Sequence, residues 1–153
     1  INVGYSLLEY AKNFPQSQDC YGLIHTDVHQ GNFFVDEGRI TVFDFDDCSY
    51  QLFASDIAIA LYYIVWRKCS GRPQSEKDAY AKEFLDNFMI GYNTENRLEE
   101  FWLNEIPFFL KLRDITLYTV FHQKFDQDNL QRFAKLLDEI RSRIEREVPI
   151  VNL

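Results

Sequence analysis

The sequence predicts a mainly α-helical domain with one small antiparallel β-hairpin near its beginning. Several long segments repeat apolar residues every three or four positions, the period of a half-buried helix. Two short runs rich in Phe, Val and Ile flank a glycine between residues 33 and 43, the pattern of a hairpin. Hydrophobic residues make up 46% of the 153, with fourteen Phe and nine Tyr, enough to close the core of a single domain.

The elements follow in order. "YSLLEYAKNF" reads as a helix with Leu7, Leu8, Ala11 and Phe14 on its apolar stripe and Pro15 as its stop. Polar "PQSQDC" is a loop. "GLIH", "NFFVDE" and "RITVFDF" have strand character; "DEGR" joins the last two, and Gly38 there can take the positive φ of a tight turn. "SDIAIALYYIVW" opens a helix, with Ser55 as N-cap and Asp56 in the first turn. After the loop "CSGRPQ", "SEKD" is a capping signature ahead of Tyr80, Phe84 and Phe88, which share one helix face. Gly91 and Asn93 punctuate its end, and Thr94 starts a helix carrying Leu98, Phe101 and Trp102. Pro107 predicts a break or kink before an apolar segment through Phe108, Leu112, Ile115 and Thr119. A last helix carries Leu130, Phe133, Leu137, Ile140 and Ile144 in one continuous stripe.

Composition narrows the partners. The formal charge is -8 and the pI near 4.8, with no basic stripe, so no nucleic-acid partner is expected, because phosphate neutralisation dominates that affinity. The longest apolar run, Ile57 to Trp66, is half of the roughly 20 residues a membrane helix needs, so no membrane partner is expected either. Cys20, Cys48 and Cys69 are widely separated and odd in number, which points to free thiols in a reducing cytoplasm, not to a zinc site or a disulfide framework. No secretory leader pattern opens the chain, and Ile1 in place of Met predicts a piece of a longer product.

Chemistry concentrates in two polar segments. "LIHTDVHQGNFFV" places His25, Asp27, His29 and Asn32 within eight positions, and "VFDFDDCSY" follows with Asp44, Asp46 and Asp47. The first is too polar for a strand and too short for a helix, and Gly31 lets such a loop fold sharply. A loop of this kind can aim an acid and an amide oxygen at one point, and Asp44, at the end of the second hairpin strand, can return to it. One carboxylate as base, with an amide oxygen and a second carboxylate on a hard cation, suits phosphoryl transfer.

These residues carry a family resemblance. "HTDVHQGN" matches H-x-D-x-x-x-x-N, the catalytic loop of protein-kinase-like phosphotransferases, and its "DVHQGN" form resembles the aminoglycoside phosphotransferase and choline kinase group. "FDFDD" looks like that group's counterpart of D-F-G, and "SDIAIAL" resembles its D-[IL]-A helix start. The three pieces stand in the family's order and at its distances across Gly22 to Leu61. The resemblance implies the C-terminal lobe of the protein-kinase-like fold and a small-molecule kinase that uses ATP and Mg²⁺. It implies Asp27 as catalytic base, Asn32 and Asp44 as metal ligands, and His25 and Asp56 as supports of the loop. Asp46 and Asp47 would assist the metal or face a substrate amine.

Plainer readings stand beside these roles. Asp27 and Asn32 are also turn formers, Asp44 a hydrogen-bonded strand end, and Asp56 a helix-dipole partner. Tyr62, Tyr63, Trp66, Trp102 and Tyr118 line a pocket for a cationic substrate or, more commonly, belong to the core. "HTDVH" also fits a metal-dependent hydrolase, but only His122 remains elsewhere to complete its ligands. "TVFDFDD" resembles the start of a haloacid-dehalogenase-like phosphatase, a fold whose alternating strands the helical remainder lacks. The six glycines are scattered, so no phosphate-covering loop is present, and no strand with a phosphate-binding lysine precedes Asp27. The expectation is therefore a catalytic-loop lobe without its N-terminal nucleotide-binding lobe, little active alone. A homodimer through the surface left bare, or a non-catalytic interaction module, follows from the same absence.

Overall fold

Helix dominates, as the periodicity predicts. The computed structural model describes residues 2–153, running α1 (Asn2–Ala11), β1 (Tyr21–Ile24), β2 (Phe33–Asp36), β3 (Arg39–Val42), β4 (Ser49–Leu52), α2 (Phe53–Cys69), α3 (Gln74–Glu95), α4 (Glu100–Asn104), α5 (Ile106–Lys124), α6 (Gln127–Arg132) and α7 (Ala134–Arg146). These fall into two units: Ile1–Phe14 with Phe108–Ile150, and Pro15–Pro107 with Val151–Leu153.

The second unit holds both β-ribbons. In the predicted hairpin Phe33 pairs with Val42 and Asp36 with Arg39. That register leaves Glu37 and Gly38 as a two-residue turn, with φ of 46° and 80°, both positive as the right-handed strand twist favours. Strand β3 stops at Val42, so Asp44 lies two residues beyond the strand instead of at its end. The ribbon of β1 with β4 is not among the expected elements: "SYQL" alternates over only four residues, and its pairing with Tyr21–Ile24 is a long-range event. This ribbon matters for the site. The chain leaves β1 straight into His25 and enters β4 straight from Asp47 and Cys48, so the outer ends of both polar segments are held together.

Helix α2 starts at Phe53 with no side-chain cap, and Ser55 lies inside it, contrary to the expected N-cap. The Phe53 N–H instead donates to the Cys20 carbonyl at 2.8 Å, because β4 runs directly into the helix beside β1. Ala54, Ile57, Ala58, Leu61, Tyr62, Val65 and Cys69 form its buried stripe, and it packs on α3. Helix α3 is longer than expected. It starts behind Pro73, so "SEKD" is interior, and it passes through Gly91, Asn93 and Thr94 to Glu95. Asn96 closes it: its N–H donates to the Tyr92 carbonyl and its side-chain amide to the Tyr92 hydroxyl. Burial pushes the Asp78 carboxyl up, but hydrogen bonds from Asn152 and Gln74, with the Lys77 charge, outweigh it and hold Asp78 below its usual value. The break predicted at Pro107 occurs at Glu105, with Pro107 in the first turn of α5, where a missing N–H costs nothing.

In the first unit, the Phe14 ring meets Phe108 at 5.2 Å and Phe109 at 6.0 Å. Leu7 is buried, but Leu8 is 54% exposed, so the stripe of α1 is narrower than predicted. Helix α5 buries Asp114, Leu117 and Phe121 instead of the Leu112, Ile115 and Thr119 line. The predicted last helix divides at Phe133, whose ring packs on Phe121 and Phe125 at 5.0 and 5.6 Å. Leu137 and Ile140 continue the buried stripe in α7. Arg143 grips the buried Asp114 with two bonds, Nε to Oδ2 at 2.8 Å and Nη2 to Oδ1 at 2.6 Å, tying α7 to α5.

Candidate active site

The loop after β1 is fixed from below by α2. Asp56, in the first turn, accepts the His25 N–H on Oδ2 and the Thr26 N–H on Oδ1, both at 2.8 Å. Thr26 sits at φ 66°, the left-handed region that a β-branched residue avoids, at a cost of about 1–3 kcal/mol. Two interactions hold it there: the Asp56 bond, and its own hydroxyl donating to the Asp47 carbonyl at 2.6 Å. The second bond runs from one polar segment to the other.

His25 makes a further link. It is buried, and its Nε2 lies 2.9 Å from the Phe43 carbonyl, which can only accept, so Nε2 carries the proton. Nδ1 then accepts the Asp27 N–H at a long 3.4 Å. Phe43 in turn donates its N–H to the Asn32 carbonyl at 2.9 Å. The residue before Asp44 is thus bonded to both ends of the first loop, and Asp44 follows with φ 65°.

Three side chains surround the Asp27 carboxylate. The Tyr63 hydroxyl donates to Oδ1 at 3.1 Å, Asn32 Nδ2 donates to Oδ2 at 3.2 Å, and His29 Nε2 lies 3.3 Å from Oδ2. Asn32 Nδ2 also donates to the Asp27 carbonyl at 3.0 Å, which fixes the amide and leaves Oδ1 as its acceptor. The Gly31 N–H donates to His29 Nδ1 at 2.8 Å, so the His29 proton is on Nε2, toward Asp27. A Cβ on Gly31 would meet the His29 ring at 2.6 Å. Close approach, not a positive φ, is what requires glycine there.

The structure therefore brings Asp27 and Asn32 into contact, and attaches the Asp44 segment to them through Phe43, His25 and Thr26. Asp44, Asp46 and Asp47 present exposed side chains. An amide oxygen and carboxylates are the hard donors a divalent cation accepts, so Asn32 Oδ1 and Asp44 fit one. Both His25 nitrogens, and Nδ1 of His29, are engaged with the loop itself, and no group of three His, Cys, Asp or Glu among the described residues is arranged for a metal of its own.

Sequence reasoning left Tyr63 among the undivided aromatics. Tyr62 and Trp102 are core, whereas Tyr63 reaches Asp27. The signal was present: Tyr63 is seven residues, two helical turns, from Asp56, and both project from the face of α2 that supports the loop.

With a first-turn acid of α2 pinning an H-x-D-x-x-x-x-N loop, the chain belongs to the phosphotransferase enzyme family (APH), whose model matches residues 6–101. It is 44% identical over 146 residues to amicoumacin kinase of Bacillus subtilis (strain 168), a match covering 95% of this chain and 43% of that protein. Among solved structures, amicoumacin kinase hAmiN in complex with AMP-PNP, Ca²⁺ and Ami superposes with a TM-score of 0.84 and 37% identity, over 99% of this chain and 46% of that one. The fold is thus protein-kinase-like. A microcompartment-associated aminopropanol kinase shares the fold, with a TM-score of 0.66 at 24% identity. The chain spans under half the length of each of these relatives.

Proposed function

We propose that this chain is the catalytic-loop lobe, residues 1–153, of a kinase that moves the γ-phosphoryl group of ATP to a hydroxyl of a small, amine-bearing molecule, with amicoumacin as the first candidate. The observation that carries this reading is the Asp27 carboxylate held by Asn32, His29 and Tyr63 beside the tethered Asp44 segment. The relatives' names, and the AMP-PNP and Ca²⁺ in one of their structures, support it.

The chemistry follows from the residues. Asp27 accepts the substrate hydroxyl proton as that oxygen bonds the γ-phosphorus and the bond to the β–γ bridging oxygen breaks, releasing ADP. Hydrogen bonds from Asn32 and Tyr63, with His29 at 3.3 Å, keep the carboxylate oriented before substrate arrives, so little reorganisation accompanies the transfer. Asn32 and Asp44 would hold Mg²⁺, which offsets charge on the phosphates. Asp56 and His25 position both segments. Asp46 and Asp47 would assist the metal or meet the substrate amine.

The nucleotide-binding lobe is proposed to come from outside these residues, since the sequence holds no glycine-rich loop. The hairpin supports this: Phe34, Val35 and Ile40 are exposed on it, and Val35 pairs with Ile40, so apolar groups face solvent on both sides. That surface would seat the missing lobe or, in the chain alone, a second copy. Three free cysteines fit a cytoplasmic location, and among the described residues no helix is long and apolar enough to cross a membrane.

The test is turnover of amicoumacin with MgATP by the full-length protein. Asp27→Asn is expected to lower kcat by about a hundredfold or more, the range for loss of a general base. The 153-residue chain alone is expected to show little turnover. Full activity in Asp27→Asn, or in the isolated chain, contradicts the proposal.

A further inference from the structure

Where the loop meets the first turns of α2 and the end of α3, a cleft of about 280 Å³ opens within the second unit. Leu23 and Val28 line it from β1 and the loop, Asp56 and Ala60 from α2, and Phe88 and Tyr92 from α3. Phe53, also in the lining, precedes Asp56 and Ala60 at spacings of three and four, and Tyr92 follows Phe88 by four, so each helix turns one continuous face to the cleft. The Phe53 ring sits so close to β1 that a Cβ on Gly22 would meet it at 2.8 Å, and the Phe88 and Tyr92 rings stack at 6.3 Å and 26°. His29, Asn32 and Tyr63, the side chains placed around the Asp27 carboxylate, take no part in this lining.

The charge of the lining is one-sided. No Lys or Arg is among the described residues that form it, and His25, whose Nε2 donates to Phe43 and whose Nδ1 accepts from Asp27, is neutral. Asp56 is the charged group, and its field reaches Tyr92: burial, with the Asp56 charge added, raises the phenol above its usual value against the lowering bond from Asn96. An anion is repelled from such a cleft. A neutral apolar molecule strips water from the carboxylate and returns nothing for it. An ammonium group replaces that water with an opposite charge, and three half-buried aromatic side chains attract it further through their ring faces. The volume, just under the usual range for small-molecule pockets, suits one small apolar group together with its charge.

We propose that this cleft binds a small organic cation, an ammonium carried on an apolar body, with its charge at Asp56 and its body against Phe53, Phe88 and Tyr92. The site is separate from the place of the acceptor hydroxyl at Asp27, and it stands whether or not the kinase reading does. Its occupant rests on the residue that carries the loop, since Asp56 holds the His25 and Thr26 N–H groups.

The test is a titration of the full-length protein, without nucleotide, by benzylammonium and by benzyl alcohol, its neutral isostere, followed by NMR of the probe. Benzylammonium is expected to bind with a Kd of about 1 mM, about tenfold below that of the alcohol, the scale of a cation held by aromatic faces and a carboxylate. Phe88→Ala, which removes a wall, and Ala60→Leu, which fills the space, are each expected to weaken binding about tenfold or more. Trp66→Ala, on α2 but outside the lining, is expected to leave the Kd within about twofold. A thermal midpoint on each variant confirms folding, and Ala60→Leu, at a half-exposed position, decides the matter if Phe88→Ala does not fold. No binding, equal Kd values for the two probes, binding that survives Ala60→Leu, or binding lost with Trp66→Ala overturns the site. Because turnover is not read, none of these results bears on the kinase reading.

Discussion

Thr26 and Asp44 both take left-handed backbones in the site, and the β-branched Thr26 is the costlier of the two. Its left-handed backbone lets successive N–H groups reach the two oxygens of Asp56, and its hydroxyl then reaches the Asp47 carbonyl across to the other segment. Backbone and side chain can be separated by substitution. Thr26→Gly should stabilise the fold by about 1 kcal/mol by relieving the positive φ, yet lower kcat because the hydroxyl tether is gone. Thr26→Ser keeps the tether and should keep kcat to about twofold. Thermal midpoints and kcat on the same proteins check this; a Thr26→Gly protein with undiminished kcat would show that the tether is dispensable.

At the scale of elements, legibility in the sequence followed the range of the interaction. The hairpin was readable because its turn chemistry, Glu37–Gly38 between Phe- and Ile-rich runs, is local. The start of α2 was readable through Asp56 but misassigned at Ser55, because the cap is a backbone carbonyl from Cys20, far away in sequence. Strand β4 was invisible for the same reason, and with it the ribbon that holds the two polar segments together. Tyr63 was obscured by its neighbour: Tyr62 and Tyr63 look alike in sequence, and only a settled helix phase separates core from site. The α5–α7 clamp is another long-range pair. Asp114 is 1% exposed and doubly bonded to Arg143, so Asp114→Ala removes both charge-assisted bonds that tie α7 to α5 and empties a buried site. A loss of about 3 kcal/mol in denaturant unfolding is expected; a loss below about 1 kcal/mol would mean the pair is no more than a surface contact.

At the scale of the whole molecule, the fold class and family were legible because their motifs span one continuous stretch from Gly22 to Leu61. The acceptor was not, because the residues nearest Asp27 combine the loop at His29 with the far turns of α2 at Tyr63 and Trp66. In the proposed kinase the two polar segments act as one site. The direct test is a double-mutant cycle on kcat in the full-length protein with Asp27→Asn, Asp44→Asn and both together. Residues serving one step are strongly non-additive, so the double variant should fall to within about threefold of the worse single variant. Losses that multiply, or an Asp44→Asn protein that keeps its activity, would contradict a shared site.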